Sequence, residues 1–533
     1  MSTARGGRPS GDGPRPPLAL ALAASVVVAL LLLPLAYLVI RVADGGRALD
    51  LLWDSSTLRL VVDTVLLVVG VVVAAIVVAV PTAWLVTRTD LPGRRLWAVA
   101  AALPLVIPSY VAAFCLLGFF GERGLLQQAL GVERLPDPTG YWGAVAALTL
   151  STYPYVFILT QAALRDLDPA LEEAARGLGV SRSRALLRVT LPAVRPSIAL
   201  GSLLVALYAL SDFGVVSLMR YDSLTRAIYV QYRSLFDRTP AAVLALVLVA
   251  LTAVALALEL RTRTRGRLWR TSPGAARRAR PVELGRARYL GMAWCAAVTG
   301  FFLVLPAVVL LYWLARGIEN ERGLDVPWSE ATHSLGASGL AAVVTLAAAV
   351  PVAVLAHRYP SRTSRVLERL SYAGNALPGI VIALSLVFFA ARYASPVYQT
   401  LGLLVFAYAV RFFPQALSGL DTALARVSPR VEEAARGLGR GPFATMWLVT
   451  VPLARSGALA GAALVFLSAM KELPATLLLR PIGFDTLATE IWGATQVGAY
   501  SQAVVPALLL IVLSAPVLWL VHGDRRELAE PGG

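Results

Sequence analysis

The chain has 533 residues, is 57% hydrophobic and only 15% charged, a balance too apolar for a soluble domain of this length. The formal net charge of +16 comes without an aromatic-interleaved soluble domain, which argues against a nucleic-acid partner. The two cysteines, Cys115 and Cys295, fall inside apolar runs and the three histidines are scattered, so no disulfide framework, resident metal or cofactor is expected.

Residues 1–17 are rich in Gly, Pro and Arg, a composition that predicts disorder. Spanning a bilayer core takes about 20 apolar residues in a helix. Twelve such runs follow, near 18–40, 58–87, 96–120, 141–164, 191–218, 240–260, 290–315, 336–356, 372–391, 398–417, 453–479 and 501–522. The first is too long for the apolar stretch of a signal peptide and no small-residue cleavage site follows it. Pro81, Pro104, Pro154, Pro351 and Pro378 lie inside these runs, where a helix bundle can satisfy the backbone groups that proline frees.

With the N-terminus placed in the cytoplasm, twelve crossings put 31 arginines on the cytoplasmic side and 12 on the outer side. The stretch from Arg261 to Arg288 supplies ten of the 31. This asymmetry sets orientation in membranes, and an even number of crossings leaves both termini inside.

The chain also repeats itself. Glu172-Glu173-Ala174-Ala175-Arg176-Gly177-Leu178-Gly179 recurs as Glu432-Glu433-Ala434-Ala435-Arg436-Gly437-Leu438-Gly439, an offset of 260. The same offset relates Pro154 to Pro414, Pro192 to Pro452 and Arg220 to Arg480. Two halves of six crossings each therefore run in the same direction, as a parallel repeat. That arrangement alone also describes ion-coupled secondary transporters, so the content of the repeated segment has to decide.

Each repeated segment lies between two crossings on the cytoplasmic side. Asp168-Pro169 and Ser428-Pro429 give helix start signals. The glutamate pairs sit early, where the helix dipole favours negative charge, and Gly179 and Gly439 stop the helix. A short helix displayed twice on one face suits a two-fold-symmetric partner. An ordinary well-capped loop explains one copy, but poorly explains two at matching places.

The segments Glu173-Ala174-Ala175, Gly179, Val189, Leu191, Pro192 and Glu433-Ala434-Ala435, Gly439, Val449, Val451, Pro452 resemble the EAA loop of ABC importer permeases. The second copy departs only in having valine at position 451. The resemblance implies an all-α polytopic membrane protein of the type I importer class. It implies that Glu173 and Glu433 anchor two copies of an ABC ATPase subunit. Glu172 and Glu432 would share that work, and Ala174, Ala175, Gly179, Ala434, Ala435 and Gly439 would shape the helix. It further implies an extracytoplasmic substrate-binding protein as partner and the bacterial plasma membrane as location. The domains are then a tail at 1–17, a first permease half at 18–260 with its core module at 57–260, an Arg-rich linker at 261–289 that favours anionic lipid, and a second half at 290–533 with its core at 334–522.

A phosphate-binding loop needs a Gly-Lys-[Ser/Thr] element, yet the chain has one lysine, Lys471, followed by Glu472. ATP must therefore be bound by a partner, and no enzymatic chemistry is expected. Charges inside membrane runs are costly and usually face a bundle interior or a water-filled path. Ser211, Asp212, Lys471 and Glu472, at equivalent repeat positions, are candidates for lining or gating the pathway; mutual pairing of Lys471 and Glu472 is the plainer alternative. Ser211 to Tyr232 and Lys471 to Gly493 resemble segments of fused ferric-iron permeases, which implies Fe³⁺ as cargo, with thiamine, phosphonate, polyamine or sulfate as alternatives. Asp222, Asp485, Glu490, Tyr221 and Tyr229 offer hard oxygen donors, but their spacing forms no recognisable metal site.

Overall fold

The structure is a computed structural model, and it describes residues 16–43, 48–122, 124–133, 136–234, 239–263, 281–319 and 326–527. The tail at 1–15 and the linker stretch 264–280 lie outside the described residues. Among those described, ten helices are long and apolar enough to cross a membrane, or eleven if one sharply bent helix pair is a single span. The last predicted run is also helical, within Tyr500–Glu527. The fold is all-α; the described residues pair as β only at an isolated bridge between Thr89 and Val282.

The chain divides into two compact units that do not follow the sequence halves. One comprises residues 1–40, 332–484 and 513–533; the other comprises 41–331 and 485–512. In the first, the helix Leu18–Ala43 is held through Tyr37, whose hydroxyl donates to the Phe388 carbonyl and whose ring meets Phe389 and Tyr393 edge-on. In the second, Tyr500 packs against Trp313 and Phe114, and Gln496 donates to Ser217.

Inside each unit the repeat is visible as packing. A Cβ added to Gly201 would lie 2.7 Å from the Val156 Cα; one added to Gly461 would lie 3.3 Å from the Ala416 Cα. Both pairs obey the 260 offset. Small residues of this kind let membrane helices approach backbone to backbone, since lipid supplies no hydrophobic drive to pair them.

Four predicted runs are interrupted. The run 96–120 breaks between Ala102 and Ser109, where Pro104 and Pro108 stop the ladder. Its counterpart bends by 99° between Arg362–Gly374 and Gly379–Tyr393, at Pro378. The runs 191–218 and 453–479 end as long helices at Ser211 and Met470, each followed by a short helix, Gly214–Leu218 or Pro474–Leu479.

Candidate functional site

The two EAA segments fold alike. Helices Pro169–Gly177 and Pro429–Gly437 each end in a glycine with left-handed backbone, φ 83° at Gly179 and 85° at Gly439. The Val180 and Arg440 amides donate five residues back, to Ala175 and Ala435, while the Gly179 and Gly439 amides donate to Arg176 and Arg436. This doubled closure is the Schellman arrangement, and it needs a residue tolerant of positive φ. The N-terminal ends differ: Asp168 accepts from the Ala170 amide, whereas Ser428 holds the cap position without a side-chain bond. Each loop then passes through a π-helical turn, Leu186–Thr190 or Met446–Thr450, into a membrane helix.

Within each glutamate pair the two carboxylates part company. Glu173 and Glu433 are exposed, as are Ala174 and Ala434. Ala175 and Ala435 are half-buried. Glu172 turns inward, where Arg88 Nη2 donates to its Oε2 at 2.8 Å and the Thr190 hydroxyl donates at 3.4 Å. Glu432 is 4% exposed and receives Arg358 at 2.8 Å and Thr450 at 2.8 Å. Consecutive helical residues point about 100° apart, so one carboxylate of each pair braces the loop and the other faces outward. Leu178 and Leu438, at the turns, are 85% and 84% exposed.

The arginines that complete the brace close the helices Ser55–Arg88 and Trp328–Arg358. Sequence reasoning missed them, although a signal exists. Pro81 precedes Arg88 by seven residues and Pro351 precedes Arg358 by seven, a second register at an offset of 270.

At the pathway positions, Asp212 and Glu472 sit where the long helices break. Asp212 is 8% exposed, accepts from the Val215 amide at 2.8 Å and receives the Ser109 hydroxyl at 2.5 Å. Glu472 is 4% exposed, accepts from the Ala475 and Thr476 amides and pairs with Arg411 at 2.9 Å. Each carboxylate thus caps the short helix that follows it, a job that also explains why it tolerates burial. Ser211 donates back to the Leu207 carbonyl, and Lys471 closes the helix Val451–Met470. Of the outer oxygen donors, Asp222 pairs with Arg226 and the Tyr221 hydroxyl donates to the Asp63 carbonyl.

Residues 67–261 and 349–523 both match the model of one family, the binding-protein-dependent transport system inner membrane component. The chain belongs to that family. It is an ABC importer permease carrying two copies of the family module, consistent with its two EAA loops. The Fe(3+)-transport system permease protein FbpB 2 of Haemophilus influenzae is 32% identical over 513 residues, covering 95% of this permease and 98% of the relative. The molybdenum transport system permease protein ModB of Escherichia coli is 37% identical over 138 residues, 25% of this permease and 58% of the relative. The sulfate transport system permease protein CysT of Salmonella typhimurium is 31% identical over 194 residues, 36% and 69% respectively. The ferric relative thus aligns with both halves of this permease, and the two oxyanion relatives with part of it.

Proposed function

We propose that this permease passes ferric iron, delivered by an extracytoplasmic binding protein, into the cytoplasm, with both of its termini on the cytoplasmic side. Two ATPase subunits dock on its EAA loops and drive the cycle, each meeting one exposed glutamate, Glu173 or Glu433. The permease supplies no nucleotide site of its own: its single lysine is followed by glutamate, so the phosphate-binding element falls to the partner. The observation that carries the cargo assignment is end-to-end similarity to a Fe(3+) permease, across both modules. A second reading, an oxyanion as cargo, draws on the shorter similarity to molybdenum and sulfate permeases.

Reconstitution into proteoliposomes with the ATPase and binding protein tests both. Fe³⁺-loaded binding protein is expected to stimulate ATP hydrolysis and to deposit iron inside. Stimulation by a sulfate- or molybdate-loaded binding protein alone would replace iron as the cargo. No association with any ATPase would remove the importer mechanism.

A further inference from the structure

The unit formed by residues 41–331 and 485–512 contains a cavity of about 940 Å³ that the pathway residues do not line. Four arginines contribute to its wall: Arg220, Arg226, Arg233 and Arg316. They come from three separate places in the chain, the turn after Gly214–Leu218, the helix Leu224–Ser234 and the helix Leu305–Glu319. Among the described residues two carboxylates, Glu122 and Asp137, share the wall.

The partners of the four arginines differ. Arg226 pairs with Asp222, and Arg316 is held by Gln128 at 2.9 Å with Glu319 at 3.8 Å. Among the described residues Arg233 bonds the Tyr229 hydroxyl alone, at 3.1 Å, and lies over that ring. Arg220 has no carboxylate partner among the described residues. Among the described residues, two guanidiniums therefore reach the cavity wall without a carboxylate in ion-pair contact. Guanidinium forks match the oxygens of phosphate and carboxylate groups two at a time.

The repeat sharpens the case. Arg220 has φ 51°, a left-handed backbone that costs a branched or long side chain energy. Its repeat partner Arg480 has φ −58° and no such strain. Aligning Asp222-Ser223-Leu224 with Asp485-Thr486-Leu487 places Thr489 where the first copy has Arg226 and Gln496 where it has Arg233. Arg226 and Arg233 are therefore peculiar to the first copy, and Arg220, which lines the cavity beside them, is strained where its counterpart is not. The Gln128 that holds Arg316 also lies where the first half is longer: Pro108 to Pro154 spans ten more residues than Pro378 to Pro414.

The cavity lies far from the EAA loop of its own unit. Asp137, Pro138 and Thr139, in its wall, precede the helix Tyr141–Asp166, and Asp168 opens the EAA helix at the other end. A 26-residue helix is about 39 Å long. Trp313, Trp492 and Tyr500 add flat apolar surface to the wall, so a ligand with an organic body also fits.

We propose that this cavity binds a small oxyanion carrying two or more negative charges, of the phosphate or polycarboxylate class, from the aqueous phase on the side opposite the EAA loops. The inference stands apart from the identity of the cargo, because it concerns a site on the permease itself.

Calorimetry on the full chain in phosphatidylcholine nanodiscs, without ATPase or binding protein, tests it with inorganic phosphate and citrate as probes and chloride as control; the neutral lipid removes anionic headgroups as competitors. Saturable binding of phosphate or citrate is expected, weakening as salt rises, and weaker by at least tenfold in Arg220→Gln/Arg233→Gln. The milder Arg233→Gln alone, with unchanged gel-filtration behaviour, should weaken it several-fold and keeps the test meaningful if the double variant misfolds. Absence of saturable binding to both probes, equal binding of chloride, or unchanged affinity in a folded Arg233→Gln chain would overturn the proposal. Because no transport is measured, these outcomes are separate from any failure of the iron assignment.

Discussion

Arg88 Nη2 lies 2.8 Å from Glu172 Oε2, joining the end of a membrane helix to the repeated loop 84 residues further along the chain. Arg358 and Glu432 reproduce the contact at the same distance. The arginines are 270 positions apart and the glutamates 260, so the brace survives a change of register between the copies. A loop that is to transmit force needs a stiff base, and this pair, with Thr190 or Thr450 alongside, provides one.

Removing the arginine should loosen the loop rather than abolish the fold. Arg88→Ala leaves Glu172 half-buried without its cation, at a cost of about 3 kcal/mol. Hydrogen exchange over residues 169–190 should accelerate while the rest of the chain is unchanged, and ATP-driven uptake should drop more than ATPase binding. Unaltered exchange in that segment would show that the brace carries no rigidity.

The outward glutamates should behave in the opposite way. Glu173 and Glu433 are exposed and hold no hydrogen bond or ion pair among the described residues, so Glu173→Ala/Glu433→Ala should leave thermal unfolding within about 0.5 kcal/mol of the parent. Copurification with the ATPase subunit should nevertheless fall at least tenfold. Full retention of the ATPase would move the docking contact elsewhere, with the exposed Leu178 and Leu438 as the next residues to change.

The buried caps make a graded pair. Asp212→Asn keeps an acceptor for the Val215 amide and should cost about 1–2 kcal/mol. Glu472→Gln abandons the Arg411 guanidinium as well and should cost about 3 kcal/mol. Both should cut uptake with ATPase docking intact. Unchanged uptake in the double variant would take these residues out of the transport cycle.

Gly379 explains how Arg411 reaches Glu472. A Cβ there would stand 1.5 Å from Arg411 Nη1 and 2.6 Å from Glu472 Oε1. The first half has Ser109 at the corresponding place and Ser151 in place of Arg411, so its carboxylate is served by a hydroxyl. Gly379→Ser should therefore lower the yield of folded protein sharply, and adding Arg411→Ser should restore much of it by copying the other half. A double variant no better than the single one would refute the equivalence.

The sequence made the helices, the repeat and the two EAA loops legible because these depend on local signals: apolar run length, prolines and a repeated string of eight residues. It could not tell Glu172 from Glu173, since their roles depend on helix phase and on an arginine from another helix. The ends of the runs at Ser211 and Met470 were equally hidden, because Val215 to Leu218 and Ala475 to Leu479 are as apolar as the helices before them. The capping carboxylate, joined by Pro474 in the second copy, marks the break, and in sequence that carboxylate reads as a pathway charge. The arginine-lined cavity was invisible for a related reason: its wall is assembled from segments hundreds of residues apart.

The exchange of segments between the compact units has a consequence for how such a gene can be divided. A product ending at residue 263 would carry Leu18–Ala43 without Phe388, Phe389 and Tyr393, and would lack Trp492 and Tyr500 altogether. Neither piece could complete a unit alone; each would have to borrow the missing helices from a sibling polypeptide. Fusion into one gene guarantees that sibling in strict one-to-one supply.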